Sequence, residues 1–327
     1  MTVIDVHTHM ISLDWLEQLG IHGAPNYEVE KTTAGQRTIH MLGAPFMTLF
    51  EEMWDYNLRI KNMDKAGVDV AIVSLTCPNV FWGGEAVSLE AARIVNDSMA
   101  EGQARHPERI RWLASLPWEY AESAVAELER ACGRGAVGVM VLANVAGRHL
   151  TEAAFAPIWQ AIDARALPVL LHPSEPPGTP AMDMRAYSLA STVGFMFDTT
   201  LALTRMIFEG FLDRYCDLKI IAAHAGATAP YLAGRMDRSW EMTVPGKAAI
   251  SIPPSEYLRR VYYDAVTYQQ EALELCIAVG GADKVMYGSD YPHDIGDMKG
   301  CLERVDALPP DQRKAVRGAN AARIFKL

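Results

Sequence analysis

Eight short runs of apolar and β-branched residues recur along the chain, and helical stretches separate most of them. Most of the runs are almost continuously apolar, which is typical of parallel strands that are buried on both faces. Eight strands alternating with helices in a chain of 327 residues favour an α/β fold, a single (β/α)8 barrel that occupies residues 1–327 as one domain. The predicted strands are residues 3–7, 69–75, 110–117, 137–143, 168–172, 219–224, 261–266 and 285–288.

Apolar residues at helical spacing predict helices between most of these runs. The longest, at residues 85–105, ends before His106 and Pro107, where a proline stops the helical pattern. A doubly wound sheet is the alternative α/β architecture, but no GxGxxG motif follows the first run. The helices are predicted at residues 85–105, 121–132, 155–165, 199–211, 269–279 and 310–324.

Two long segments interrupt the repeat, and each follows a predicted strand. Residues 12–51 follow the first strand and contain Gly, Pro, Thr and Asn, while residues 173–191 follow the fifth strand and hold four prolines. The carboxyl ends of barrel strands form the face on which such folds build their active sites. We therefore expect both long loops to be lids or substrate loops and not separate domains.

The charge balance argues against polyanionic partners. The chain has 30 Lys and Arg against 40 Asp and Glu, a formal net charge of −10, and no basic stripe. Proteins that bind phosphate backbones or anionic membranes carry basic surfaces, so we expect neither nucleic acid nor membrane as a partner. The first residues lack the basic and apolar regions of a signal peptide, and the five widely spread cysteines include no CxxC pair. Both features are typical of a cytoplasmic protein with free thiols.

The first predicted strand ends in a His-Thr-His motif. Side chains two residues apart on a strand point to the same face, so the imidazoles of His7 and His9 converge. In a closed barrel we expect this face, opposite to Ile4 and Val6, to be the interior. Two converging imidazoles make half of a metal site. Taken alone, the motif fits a chance pair in a surface strand equally well.

Three further runs end in residues that bind metals or move protons. One buried histidine at a strand end is common, but several at the same rim are difficult to explain by packing. We predict His7, His9 and His172 as metal ligands, and Asp290 as a ligand or its neighbour. His224 is predicted to stand beside the site as a general acid or base, with Asp290 as the second catalytic group. Four other histidines are expected to be peripheral: His22, His40, His106 and His149.

Nitrogen and oxygen ligands without thiolates favour an open divalent site over a closed structural zinc. We expect Zn²⁺ first and Mn²⁺ or Fe²⁺ as alternatives. The fourth run ends in Leu142, Ala143 and Asn144, and it offers no Lys or Glu to bridge a second ion, so one metal is predicted. A barrel that uses the ion only for stability is disfavoured, because structural sites are usually closed by four ligands, often thiolates.

The order of these motifs resembles the amidohydrolase superfamily: His-Thr-His on strand one, His on strands five and six, and Gly-Ser-Asp on strand eight. The resemblance covers nearly the whole chain. Longer segments look most similar to the subgroup that contains α-amino-β-carboxymuconate-ε-semialdehyde decarboxylase, 5-carboxyvanillate decarboxylase and γ-resorcylate decarboxylase. These segments are residues 53–55 with Arg59, residues 63–68, 218–226 and 285–292, and the closing Gly318, Asn320, Ala321, Ile324 and Phe325.

This resemblance implies non-oxidative loss of CO₂ from a small carboxylated aromatic or muconate-like acid at a single divalent ion. It also implies a homodimer. Hydrolysis of an amide, ester or lactone is the alternative, because His224 and Asp290 would then activate water in the same site. The two reactions share every ligand, so the metal motif alone does not separate them.

Departures from the subgroup bear on the substrate. By the resemblance, a substrate-binding arginine of the semialdehyde decarboxylase, seven residues before Trp54, is replaced here by Met47, and a second one falls at Thr243. Arg235 lies close to the second position, and His293 stands where an aromatic residue is expected. We therefore predict substrate contacts at Met47, Trp54, Arg235 and His293. The arginine that would hold a distal carboxylate stays open among Arg59, Arg148, Arg185 and Arg235.

Overall fold

Eight parallel strands form one sheet in chain order in a computed structural model of the protein, which describes residues 2–31, 35–184, 186–242 and 249–327. Each strand pairs with the next one along the chain, and helices connect them, as the apolar runs predict. The strands are β1 Ile4–His9, β2 Val70–Ser74, β3 Ile110–Ala114, β4 Gly138–Leu142, β5 Pro168–His172, β6 Lys219–Ala222, β7 Tyr262–Asp264 and β8 Val285–Met286.

The two edges of this sheet meet. The backbone N–H of Val6 donates to the carbonyl of Tyr287 over 3.0 Å, and that of His9 donates to Tyr291 over 2.7 Å. Thr8 also forms a parallel bridge with Tyr291. These bonds join β1 to the segment that follows β8, so the sheet is a nearly closed barrel. The predicted (β/α)8 fold is confirmed.

Most of the helices lie between barrel strands. The helix predicted at residues 85–105 is present with the same bounds, whereas the last predicted helix is divided by a wider π-type turn at Ala315–Ala319. No helix in the described part of the chain is both long enough and apolar enough to cross a membrane. The helices are α1 Leu13–His22, α2 Tyr56–Ala66, α3 Glu85–Arg105, α4 Ala121–Gly133, α5 Ala156–Asp163, α6 Phe195–Phe208, α7 Phe211–Arg214, α8 Ala229–Glu241, α9 Pro254–Leu258, α10 Gln270–Gly280, α11 Met298–Asp306, α12 Pro310–Lys314 and α13 Asn320–Phe325.

The long segment after β1 has its own secondary structure. Helix α1 begins after Ser12, whose hydroxyl accepts the backbone N–H of Trp15 over 3.0 Å and so caps the helix. An antiparallel three-stranded sheet follows, with strands Tyr27–Lys31, Arg37–Met41 and Ala44–Thr48. We call this part, residues 12–48, the insertion.

The interior of the barrel is filled by alternate strand residues. Ile4 and Val6 belong to the same buried cluster as Ile72, Leu170 and Ile221, so they face the interior. This corrects the expectation that they point away from it. The pairing of β1 with β2 shifts by one residue between positions 5 and 8, and such a bulge changes which side chains face inward. The apolar residues before the bulge and the two histidines after it therefore both point into the barrel.

Candidate metal centre and active site

Four predicted ligands meet at the carboxyl end of the barrel. His7 and His9 lie at the end of β1, His172 is the last residue of β5, and Asp290 follows β8. Their ligand atoms all lie within 4.8 Å of one another, and all four residues are buried. His9 and Asp290 are 281 residues apart in the sequence, so only the closure of the barrel brings them together.

The hydrogen bonds of His7 and His172 leave the other ring nitrogen of each available for a cation. Nδ1 of His7 lies 2.5 Å from Oδ2 of Asp264, and Nδ1 of His172 lies 2.7 Å from the carbonyl oxygen of Pro173. An acceptor at Nδ1 places the proton there and a lone pair on Nε2. Nε2 of His7 and Nε2 of His172 are buried without a hydrogen-bond partner. Buried polar atoms seldom stay unpaired, so these two nitrogens fit metal ligation.

The electrostatics of the cluster suit the same role. Burial and the neighbouring imidazoles hold the pKa of His172 well below its usual value, and burial lowers the pKa of His9 to about 3. Burial acts to raise the pKa of Asp290, but hydrogen bonds from His224 and His9 and the charge of His7 outweigh it, so the net shift is well below normal. His7 differs, because burial lowers its pKa but the charge and hydrogen bond of Asp264 outweigh this and raise it above its usual value. Neutral His9 and His172 beside an ionised Asp290 are the forms that bind a divalent metal.

His224 stands beside this cluster on a strained turn that follows β6. Its Nε2 lies 3.4 Å from Oδ2 of Asp290, and its ring centroid is 5.0 Å from that of His7. The φ angles of His224 and Asp290 are 55° and 57°, in the left-handed region that L-residues seldom adopt. Each such residue costs about 1–2 kcal/mol, and strain of this kind clusters at functional sites. The predicted acid–base pair is therefore brought together at the metal cluster.

Asp264, at the end of β7, is a site residue that the sequence reasoning missed. Its carboxylate contacts the ring of His7 and accepts the backbone N–H groups of His224 and Ala225, each over 2.9 Å. Burial acts to raise the pKa of Asp264, but the charge and hydrogen bond of His7 outweigh it, so the net pKa lies below normal. A signal was present in the sequence, since a carboxylate in an apolar run at this rim has no water to solvate it.

The arginines proposed for a distal carboxylate are placed differently. Arg59 is fully buried behind β1 and donates to the hydroxyl of Thr8 over 2.7 Å and to the carbonyl of His9. Arg148 forms an ion pair with Glu152 at 2.7 Å. Arg235 is exposed on α8. Arg185 and Thr243 lie outside the described residues.

A cavity of about 230 Å³ lies on the β4–β5 side of the cluster. Leu142 lines it and is paired in register with the ligand His172, so the cavity adjoins the metal site. Its walls combine apolar side chains such as Phe81 and Leu142 with polar ones such as Asn144, Ser174 and Glu175, in nearly equal parts. A second cavity of about 320 Å³, lined by residues at the amino-terminal ends of β6 to β8, contains none of the ligands. The first cavity is lined by residues of the insertion (Asn26, Tyr27, Met41, Leu42, Phe46), of the segment after β2 (Cys77, Pro78, Phe81) and of the β4 and β5 ends (Leu142, Asn144, Ala146, Gly147, Ser174, Glu175, Pro177).

Three residues predicted as substrate contacts occupy different places. The ring of His293 lies 4.9 Å from that of His9, and its Nε2 is 3.0 Å from the hydroxyl of Thr76. His293 therefore borders the cluster. Met47 is buried in the outer core, and Trp54 packs partly buried against that core. Neither is among the residues that line the cavity.

Comparison with known proteins identifies similar sequences over most of the chain. A family model described as amidohydrolase matches residues 4–327. The 2-amino-3-carboxymuconate-6-semialdehyde decarboxylase of Dictyostelium discoideum is 29% identical over 334 residues, which cover 99% of this chain and 91% of that protein. The gamma-resorcylate decarboxylase of Polaromonas sp. is 30% identical over 283 residues, which cover 82% of this chain and 86% of that protein.

Solved structures share the fold over the full length. The 5-carboxyvanillate decarboxylase of Sphingomonas paucimobilis superposes with a TM-score of 0.86 at 27% identity, covering 100% of this chain and 99% of that one. The 5-carboxyvanillate decarboxylase of Novosphingobium aromaticivorans, in complex with manganese and 4-hydroxy-3-methoxy-5-nitrobenzoic acid, has a TM-score of 0.83 at 24% identity, covering 100% and 96%.

Proposed function

The chain belongs to the amidohydrolase family, and we propose that it is a metal-dependent decarboxylase of a small carboxylated aromatic or muconate-like acid. The buried set of His7, His9, His172 and Asp290 beside a cavity with both apolar and polar walls is the observation that carries the proposal. The relatives named above are decarboxylases, which agrees with the subgroup that the sequence segments resemble. We also propose that the barrel and its insertion form one domain.

One divalent ion would be held by Nε2 of His7 and of His172, by a ring nitrogen of His9 and by the carboxylate of Asp290. Zn²⁺ is our first choice and Mn²⁺ our second, since three imidazoles and one carboxylate suit either ion. The side chain of Asn144 is occupied by Ser174 and Asp198, so no bridging group for a second ion reaches the site from β4. When bound, the ion would supply a positive charge that anchors the oxygens of the substrate.

The residues of the chain would position the ring and deliver the proton. The ring would lie against the apolar side chains of the cavity, such as Phe81 and Leu142, with its carboxylate turned towards His172. His224, poised against Asp290 at 3.4 Å, would donate a proton to the ring carbon that bears the carboxylate. The carbon–carbon bond then breaks, its electron pair returns to the ring, and CO₂ leaves. The exposed part of His224 would recover its proton from solvent.

One feature of the cavity and the comparison with relatives favour loss of CO₂. The apolar side chains of the cavity, such as Phe81 and Leu142, stabilise a neutral product relative to a carboxylate. The relatives found by comparison carry decarboxylase names, and these support decarboxylation over the hydrolysis that the ligand set equally permits.

A substrate panel tests the reaction class. Protein reloaded with Zn²⁺ or with Mn²⁺ is incubated with hydroxybenzoates, carboxyvanillate-like acids, a muconate-like acid and simple aryl esters. We expect CO₂ release from at least one acid and no acid release from the esters, measured by a coupled CO₂ assay and by pH-stat. Ester hydrolysis without CO₂ from any acid would replace the proposal with the hydrolase alternative.

We further propose that the protein is a cytoplasmic homodimer. Phe197 and Leu201, one helical turn apart on α6, are 47% and 53% exposed, and Tyr231 on α8 is 79% exposed. The two helices pack together, since the hydroxyls of Thr200 and Thr228 lie 2.7 Å apart. Exposed apolar side chains on adjacent helices are typical of an interface. Light scattering should give a dimer for the wild type and a monomer for Leu201→Lys, whereas a wild-type monomer would exclude the proposal.

A further inference from the structure

One buried carboxylate connects the ligand side of the site with its acid–base side. We propose that Asp264 is a positioning residue that fixes the tautomer of the ligand His7 and the turn that carries His224. This inference rests on the metal site of the proposed function. It does not depend on which acid is the substrate.

The first contact sets the ligand. Oδ2 of Asp264 lies 2.5 Å from Nδ1 of His7, and both side chains are completely buried. Because the carboxylate oxygen accepts, Nδ1 of His7 carries the hydrogen and Nε2 keeps its lone pair. That Nε2 is buried without a hydrogen-bond partner and lies 3.4 Å from Oδ1 of Asp290, so it faces the cluster. Asp264 therefore selects the only neutral form of His7 that ligates through Nε2.

The second contact sets the acid–base group. Oδ2 of Asp264 also accepts the backbone N–H of His224, and Oδ1 accepts that of Ala225, each over 2.9 Å. His224 and Ala225 both have φ values of 55°, so the carboxylate holds two consecutive left-handed residues in place. The turn aims the imidazole of His224 so that its Nε2 lies 3.4 Å from Asp290.

All four acceptor positions of Asp264 are occupied. The backbone N–H of Val266, at 3.0 Å from Oδ1, is the fourth donor beside His7, His224 and Ala225. An ionised carboxylate offers about four lone-pair sites, so none is left over. An asparagine would keep only one oxygen and would direct N–H groups at donors. It would lose the contact that fixes His7 or the contacts that fix the turn.

Asp264→Asn is the direct test, and metal affinity is the primary measurement. Affinity of the folded variant for Zn²⁺ is measured by competition with a chromophoric chelator. Loss of a carboxylate behind a ligating histidine lowers metal affinity or activity roughly 10–100-fold, and we expect a loss in that range. In the Zn²⁺-saturated variant we expect a lower kcat and little change in KM, since the cavity is untouched.

Glu127→Gln is the matched control. Glu127 is a buried carboxylate on the outer helix α4, where it accepts from Asn96 and Arg130. Its replacement removes a buried charge to the same extent but leaves the metal site intact. We expect lower stability with wild-type zinc affinity and kcat. If Asp264→Asn matches Glu127→Gln in both affinity and saturated kcat, Asp264 is only structural and the inference fails.

Nuclear magnetic resonance of the wild type keeps the test decisive if Asp264→Asn does not fold. In ¹H–¹⁵N spectra of the imidazoles of the Zn²⁺-loaded protein, we expect His7 to carry its proton on Nδ1. A proton on Nε2 would overturn the inference.

Asp264→Glu, which keeps the charge but displaces it, should bind Zn²⁺ more weakly than the wild type; unchanged affinity would also contradict the proposal. A protein that binds zinc as described but releases no CO₂ would refute the proposed function and leave this inference standing.

Discussion

His224 and Asp290 face each other over 3.4 Å, from Nε2 to Oδ2, although 66 residues separate them in the chain. Both residues adopt left-handed backbone conformations. The other oxygen of Asp290, Oδ1, lies 3.1 Å from Nε2 of His9. One carboxylate oxygen of Asp290 thus contacts the ligand cluster, and the other contacts the acid–base group His224. A substitution of His224 can therefore remove the acid–base group and leave the ligand cluster in place.

Replacing His224 tests this separation. We expect His224→Asn to lower kcat by roughly 10²–10⁴-fold, the usual contribution of a general acid or base. Its metal content should stay at one equivalent, because His224 is outside the ligand set. Metal content by mass spectrometry and steady-state kinetics give both values. His22→Asn, at an exposed position on α1, is the control and should behave as wild type; full turnover in His224→Asn would place the proton donor elsewhere.

Removal of the metal should abolish activity and lower stability without dismantling the barrel. Dialysis against a chelator would remove the cation that Asp290 and the three imidazoles are proposed to bind, and these four groups would stay buried without it. An ion present at 1,000 times its Kd stabilises the folded state by about 4 kcal/mol. We expect a lower Tm, an unchanged far-ultraviolet circular dichroism spectrum, and recovery of both Tm and turnover on adding one equivalent of Zn²⁺ or Mn²⁺. His172→Ala should show the chelated behaviour even with excess metal.

The aromatic wall of the cavity should contribute to substrate binding. Phe81 lines the cavity after β2. Its truncation in Phe81→Ala removes apolar area worth about 1–2 kcal/mol, so we expect KM to rise roughly 10-fold with metal content unchanged. Phe81→Leu keeps most of that area and should give a smaller rise. Equal KM values for the three proteins would mean that the ring of the substrate binds elsewhere.

Asp198 should make stability depend on pH. Burial raises the pKa of this carboxyl group from 3.8 to about 6. Between about pH 4 and 6 the folded state therefore keeps a proton that the unfolded state has lost, so the contribution of this group to stability falls as pH rises through that interval. The linked free energy is about 3 kcal/mol, as an order of magnitude.

Urea unfolding of metal-free protein between pH 4 and 7.5 checks this dependence. The free energy of unfolding of the wild type should decline relative to that of Asp198→Asn, which lacks the titrating group. Parallel pH profiles for the two proteins would show that Asp198 is ionised at its normal pKa. The comparison uses slopes because the variant also changes the hydrogen bonds to Asn144 and Ser174.

The barrel and the ligand set follow from local patterns in the sequence. Apolar runs predict strands that are buried on both faces, and a residue at the end of such a run lies at the rim of the barrel. His172 and Asp290 could therefore be assigned to this rim from the sequence alone. The direction in which Ile4 and Val6 point could not be predicted correctly from the sequence. A bulge is set by the pairing of β1 with β2, and the residues of β1 alone do not encode it.

Other features depend on contacts that single segments do not reveal. The strand Tyr27–Lys31 alternates partly buried and exposed residues, and its identity comes from pairing with Arg37–Met41 rather than from an apolar run. The buried guanidinium of Arg59 supports the end of β1 because Thr8 and the carbonyl of His9 accept from it. An arginine of this kind is easily mistaken for a substrate-binding residue when only its charge is known.

The insertion supplies one wall of the cavity, through Tyr27, Met41 and Phe46, yet provides none of the ligands or the acid–base pair. The sequence of the insertion can consequently change during evolution without altering the residues that break the carbon–carbon bond. Homologues with a different insertion would keep the same reaction and differ in the acids that they accept. Grafting the insertion from one homologue onto another would produce the same change of specificity in the laboratory.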